Sequence, residues 1–181
     1  MGSRYVCVVF GAVVLACATV FLSAAVEPRK AGASTTAVKT CSGVSINLKA
    51  TEERTFTLHN EARKERGLRP LCVDPKLTKA ARSHSRQMVE NDYFSHNSFG
   101  GESVGSRLGR FGYGKSIYGE NIAGGFRAPA EPGPTLERWM DSPRHRANIL
   151  DGRFRRVGVG TYTGNYDGTN GYIMYTVDFG V

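Results

Sequence analysis

The chain has 181 residues, with 24 Lys and Arg against 16 Asp and Glu and a net charge of +8. It is one domain's worth of residues, enough to bury a core but short for the large, mostly parallel sheet of a typical serine hydrolase. The positive excess favours acidic polymers or membrane surfaces as partners; an exported chain with no recognisable nucleic-acid module argues against DNA or RNA.

Residues 1–25 read as a secretory signal peptide. Arg4 supplies the positive start, Tyr5 to Leu22 is almost purely apolar, and Ser23-Ala24-Ala25 offers small residues for cleavage. The competing reading is an uncleaved anchor, since the apolar run approaches the ~20 residues of a membrane helix. A lipoprotein site at Leu15-Ala16-Cys17 is weaker, because leucine stands where a small residue is expected. Cleavage after Ala25 leaves no membrane span and a charge of +7, the whole chain's +8 less Arg4. Export also predicts that the two remaining cysteines, Cys41 and Cys72, pair in an oxidising compartment; the alternative is two buried thiols.

Residues 26–50 mix Ala, Gly, Ser, Thr and Lys without period and read as a flexible arm, with the domain spanning 51–181. Glu52 to Arg66 predicts a helix stopped by Gly67. Asp74-Pro75 opens a second helix, and Leu77, Ala80, Ala81, His84 and Met88 recur on one of its faces. His84 on that face reads as a hydrogen-bonded core histidine.

From Asn97 to Pro134 glycine breaks the chain into short pieces. Ser103 to Phe111 predicts a short helix, Tyr118 to Phe126 a short strand carrying Glu120, and Thr135 to Met140 another helix. Ser142-Pro143 opens a further helix that runs through Leu150, with His145 in its first turn. Two β-branched and aromatic runs around Asp167-Gly168 and Asn170-Gly171 predict a terminal antiparallel hairpin; the Asp/Asn cluster there reads as turn chemistry and not as a calcium loop.

Three segments carry the chemistry: Phe94-Ser95-His96, Gly119-Glu120-Asn121, and Trp139 to Arg146. They offer two imidazoles and a carboxylate, a set able to hold a divalent metal or share protons. In order and spacing they resemble the CAP superfamily of cysteine-rich secretory, antigen five and pathogenesis-related proteins, in its compact bacterial branch. The likeness runs from about Thr55 to Phe179. It includes Asn60 and Arg63, Gly67-Leu68-Arg69-Pro70-Leu71, the helix of Ala81, His84 and Met88, Asn148-Ile149-Leu150, and Val157-Gly158-Val159-Gly160.

The resemblance implies an α+β fold, an α-β-α sandwich with a small antiparallel sheet between helical layers and a cleft. It places His96, Glu120 and His145 in that cleft. Ser142 stands where many animal and plant members carry a fourth acid. His96 and His145, with Glu120, become candidate ligands for a zinc-like ion and the candidate catalytic groups. The expected function is a secreted, extracellular binding module for a lipid or peptide at an envelope or host surface, or for an acidic cell-surface polymer. The alternative is a metal-assisted hydrolase using the same cleft.

Several bland readings stand beside these. Gly101-Glu102-Ser103-Val104-Gly105 fits a nucleophile-elbow pattern, but no strand precedes it, so Ser103 reads as a helix cap. Trp139 reads as a core anchor. Tyr93, Phe94, Phe111 and Tyr118 are candidates for the cleft wall. Arg63 reads as a loop brace, and Arg144 and Arg146 as solvated charge.

Overall fold

The computed structural model describes residues 34–181; the signal-peptide expectation lies outside them. Two strands come first, β1 (Thr35–Lys39) and β2 (Ser45–Lys49), paired antiparallel. The expected flexible arm is therefore replaced, over these residues, by a hairpin. Its β-branched Thr35, Thr36, Val38 and Ile46 favour extended backbone, Gly43 turns it at φ 84°, and Leu48 is fully buried.

Helix α1 (Ala50–Lys64) follows directly, and Gly67 ends the segment at φ 66°. A two-residue strand, β3 (Cys72–Val73), leads into α2 (Pro75–Glu90). The predicted start of α2 is present: Asp74 accepts hydrogen bonds from the backbone N–H groups of Lys76 and Leu77, at 2.8 and 3.3 Å. Helix α3 (Val104–Arg110), strand β4 (Tyr118–Gly125), a 3-10 turn (Ala128–Ala130), α4 (Pro132–Asp141) and α5 (Pro143–Leu150) come next. Strands β5 (Arg156–Tyr166) and β6 (Thr169–Gly180) close the fold. Their two-residue turn is Asp167-Gly168, both at positive φ, which matches the right-handed twist of a hairpin. Asn170-Gly171 instead lies inside β6, near a register shift at Gly164/Asn165.

The main sheet runs β3-β5-β6-β4. It is mixed, because β3 joins β5 in parallel while the other pairs are antiparallel. Its helical layers make the fold α+β. Helix α2 lies on β5 so closely that side chains would not fit between them. A Cβ at Gly158 would sit 2.1 Å from the carbonyl carbon of Leu77, and one at Gly160 would sit 2.1 Å from the backbone nitrogen of Arg82. That is the physical content of the Val-Gly-Val-Gly run. The valines fill the opposite face, where Val157 and Val159 pack with Ile149, Phe154, Tyr175, Val177 and Phe179.

Cys41 and Cys72 form a disulfide. It ties the hairpin to the edge of the main sheet and closes a 31-residue separation, worth about 3–4 kcal/mol by loop entropy. Arg63 is fully buried and donates to the carbonyls of Arg69, Ile149, Asp151 and Phe154, the loop brace its position suggested.

Candidate functional site

The sheet fixes the position of Glu120. It lies on β4 directly opposite Asp178 of β6, so both side chains leave the same face. His96 comes from the loop after α2. Its Nδ1–H donates to Glu120 Oε1 across 2.7 Å. From the other side the guanidinium of Arg107, on α3, donates to Glu120 Oε2, and also to His96 O and Ser98 Oγ at 3.0 Å each. The chain thus sets the carboxylate between a fully buried arginine and an imidazole that is half open to water.

Electrostatics follow from this placement. Burial pushes the Glu120 carboxyl up, but the His96 hydrogen bond and the Arg107 charge outweigh it and hold the group below its ordinary value. Asp178 goes the other way. It is fully buried, neither oxygen meets a donor, and burial with the adjacent Glu120 charge raises it well above the usual carboxylate range. Protonated, Asp178 becomes a donor itself, with its cross-strand partner Glu120 as acceptor. His84, beneath the loop, is kept neutral down to about 4 by burial and by Arg107, and its Nε2 lies 2.9 Å from Ser95 O, as the core-histidine reading expects.

His145 is in the first turn of α5. Burial first, then the charge of His96, lowers its pKa. It faces His96 across a cleft of about 600 Å³. Phe94, Ser95, His96 and Asn97 form one wall, and Arg138, Trp139, Ser142 and His145 the other. Ile122, Ala123 and Gly124 of β4 lie between them. Trp139 is 2% exposed and donates its Nε1–H to Ile122 O, so it anchors the core and also borders the cleft. Ser142 precedes α5, but its hydroxyl does not cap the helix.

The structure brings His96, Glu120, Ser142 and His145 to one place. Of the four aromatics considered for the wall, only Phe94 lines it; Phe111 packs near Leu77 and Leu108, Tyr118 lies against Gly105, and Tyr93 against His84 and Phe99. Ser103 caps α3 through the Ser106 N–H at 3.3 Å and lies outside the cleft.

Sequence reasoning passed over Arg107, Asp178 and Arg138. A lone acid inside the apolar run Tyr175-Thr176-Val177-Asp178-Phe179 was the available signal for Asp178. The expected metal set is also altered. Both Glu120 oxygens are engaged, one of them by Arg107, so this residue orients His96 and is not free as a ligand. Two imidazoles remain, one short of the three protein ligands of a catalytic zinc centre. Among the described residues no three His, Cys, Asp or Glu side chains converge to hold a metal. The residues as placed do not fit that centre.

The sequence pattern of the cysteine-rich secretory protein family, CAP, matches residues 56–179. The chain belongs to the CAP family. Its CAP domain is 36% identical over 131 residues to the uncharacterised Bacillus subtilis protein YkwD, an overlap of 72% of this chain and 50% of that one. The solved structure of an extracellular SCP-domain protein from Bacillus anthracis matches with a TM-score of 0.62 at 33% identity, over 71% of this chain and 39% of the other. An outer surface protein of Borrelia burgdorferi shares the fold, with a TM-score of 0.60 at 22% identity, over 72% of this chain and 93% of its own. The CAP chain described here thus spans about half the length of YkwD and less of the anthrax protein. No helix among its described residues is long and apolar enough to cross a membrane.

Proposed function

We propose that this CAP domain acts outside the cell as a binding module, and that its cleft recognises an anionic group on a lipid or a peptide without chemical turnover. The observation that carries this reading is the make-up of the lining. Arg138 brings a fixed positive charge to the cleft beside the imidazoles of His96 and His145, and among the described residues no carboxylate lines it. The nearest acid, Glu120, is buried behind His96 and neutralised by Arg107. Arg138 donates to Pro129 O and Thr135 Oγ1, and makes no ion pair among the described residues, so its charge remains available.

The arrangement also lacks what hydrolysis by a protein nucleophile needs. Neither His96 nor His145 is hydrogen-bonded to a hydroxyl or thiol among the described residues, so no base is seated on a nucleophile. An extracellular setting is supported by the anthrax relative and by the Cys41–Cys72 bridge.

The test is direct. The purified protein is titrated with phosphatidylglycerol vesicles and with a glutamate-rich peptide, each against a neutral counterpart. Anionic probes bind, the affinity falls with salt, and a His96→Ala/His145→Ala double variant loses it while melting within about 1 kcal/mol of the parent. Turnover of ester or peptide substrates, abolished by Glu120→Gln, would overturn the binding reading.

A further inference from the structure

The outer strand of the sheet offers a second kind of contact to the same ligand. Strand β4 pairs with β6 on one side only. Along such an edge every second residue turns its N–H and C=O away from the sheet, where they need cover or invite another strand. Here the carbonyls of Glu120 and Ile122 point outward, and both are covered. Asn148 Nδ2 donates to Glu120 O, and Trp139 Nε1 to Ile122 O, each at 3.1 Å. The next residue of the same parity is Gly124. Among the described residues no side chain or neighbouring loop bonds to its N–H or C=O, and it lines the cleft. The side chains that cover the outward carbonyls stop one step short, at Gly124, within the part of the edge that lines the cleft.

We infer that the cleft takes an extended acidic polypeptide segment, which adds to the outer edge of β4 by pairing its backbone with the Gly124 N–H and C=O while a carboxylate lies between His96, His145 and Arg138. This rests on the binding reading above and narrows it to one ligand class. Strand addition supplies backbone hydrogen bonds at the edge, and Arg138 with the two imidazoles selects the side chain or terminus that follows. Apolar Phe94 and Trp139 flank the same path. A lipid headgroup could meet Arg138 but would leave the Gly124 peptide groups unpaired.

Backbone pairing has a signature that side-chain contact lacks, because it alternates along the ligand. Glutamate-rich peptides of about six residues, the usual strand length, are prepared in two N-methylated series, one at odd and one at even positions, each with a free or an amidated C-terminus. One methylation series is expected to weaken binding by at least about tenfold and the other to leave it unchanged. Exchange of the Gly124 amide hydrogen, followed by NMR in the labelled protein, slows by about tenfold or more in the complex. The free and amidated arms tell a terminal carboxylate from a side-chain one.

Equal binding by both series, with Gly124 exchange unmoved, overturns strand addition. If His96→Ala/His145→Ala still abolishes that binding, the anion-binding cleft stands without it. If no acidic peptide binds and only phosphatidylglycerol vesicles do, the inference fails and the cleft reading survives as a lipid site. Protection of Gly124 that rises with protein concentration in the absence of peptide assigns the edge to a second copy of the chain and also overturns it. Failure of every anionic probe ends both readings together.

Discussion

Two glutamates are buried in this domain and each meets an arginine, but they are built for different ends. Glu52, at the start of α1, is fully buried and accepts from the backbone N–H of Lys49 and of Thr161, and from Arg82 in a two-pronged contact. Its partners lie before α1, on α2 and on β5, so its carboxylate fastens three elements together. Glu120 is nearly as deep, yet one of its two partners is an imidazole whose side chain is 53% exposed. Beside it lie the Nε of Arg107, which meets no acceptor, and Asp178, whose oxygens meet no donor. A carboxylate whose partners are all structural is part of the frame. One that reaches water through a histidine, over a partly unsatisfied network, is part of a site.

That contrast can be broken experimentally. Glu120→Ala should cost most, about 3–5 kcal/mol in urea unfolding, because it leaves the Arg107 charge buried and unpaired. Adding Arg107→Met should recover part of the loss, since an apolar replacement of both partners removes the stranded charge.

Next comes pH. His84 beside the site, like His59 in the core, is held neutral down to about 4 against an unfolded value of 6.5, chiefly by burial. Between those values the unfolded chain binds protons that the fold refuses, so stability falls as pH drops from 6.5 towards 4, by about 3 kcal/mol for each histidine. Asp178 acts in the opposite sense, since the fold keeps a proton that the unfolded chain releases above 3.8. Two histidines against one acid leave the net slope positive, and His84→Gln should flatten it in thermal melts.

Glu52→Gln should lose less than Glu120→Ala, about 1–3 kcal/mol, because Arg82 is 35% exposed and can turn to solvent. Asp178→Asn should be mildest, under about 1 kcal/mol at neutral pH, since an amide reproduces the donor of a protonated acid. A large loss there would show that Asp178 is ionised in the fold.

The same contrast explains what could be read in the chain beforehand. His96, Glu120 and His145 were legible because each sits in a short pattern of turn-forming and aromatic residues whose order carried the family resemblance. Asp74-Pro75 and Asp167-Gly168 were legible because capping and turn chemistry act over a few residues. Arg107 was not, because its role depends on a carboxylate 13 positions away that only the sheet brings near. Glu52 was hidden for the same reason, its contacts with Arg82 and Thr161 spanning 30 and 109 positions. The first hairpin went unread because its buried side is little more than Leu48, too little apolar pattern to show a period.

The bond between Cys41 and Cys72 makes the segment from β2 through α1 a macrocycle. The exposed bend at Arg66-Gly67 lies inside it. A protease that nicked the chain after Arg66 would leave one covalent molecule, its two pieces separable only after reduction. That bend can therefore be cut without setting the hairpin loose.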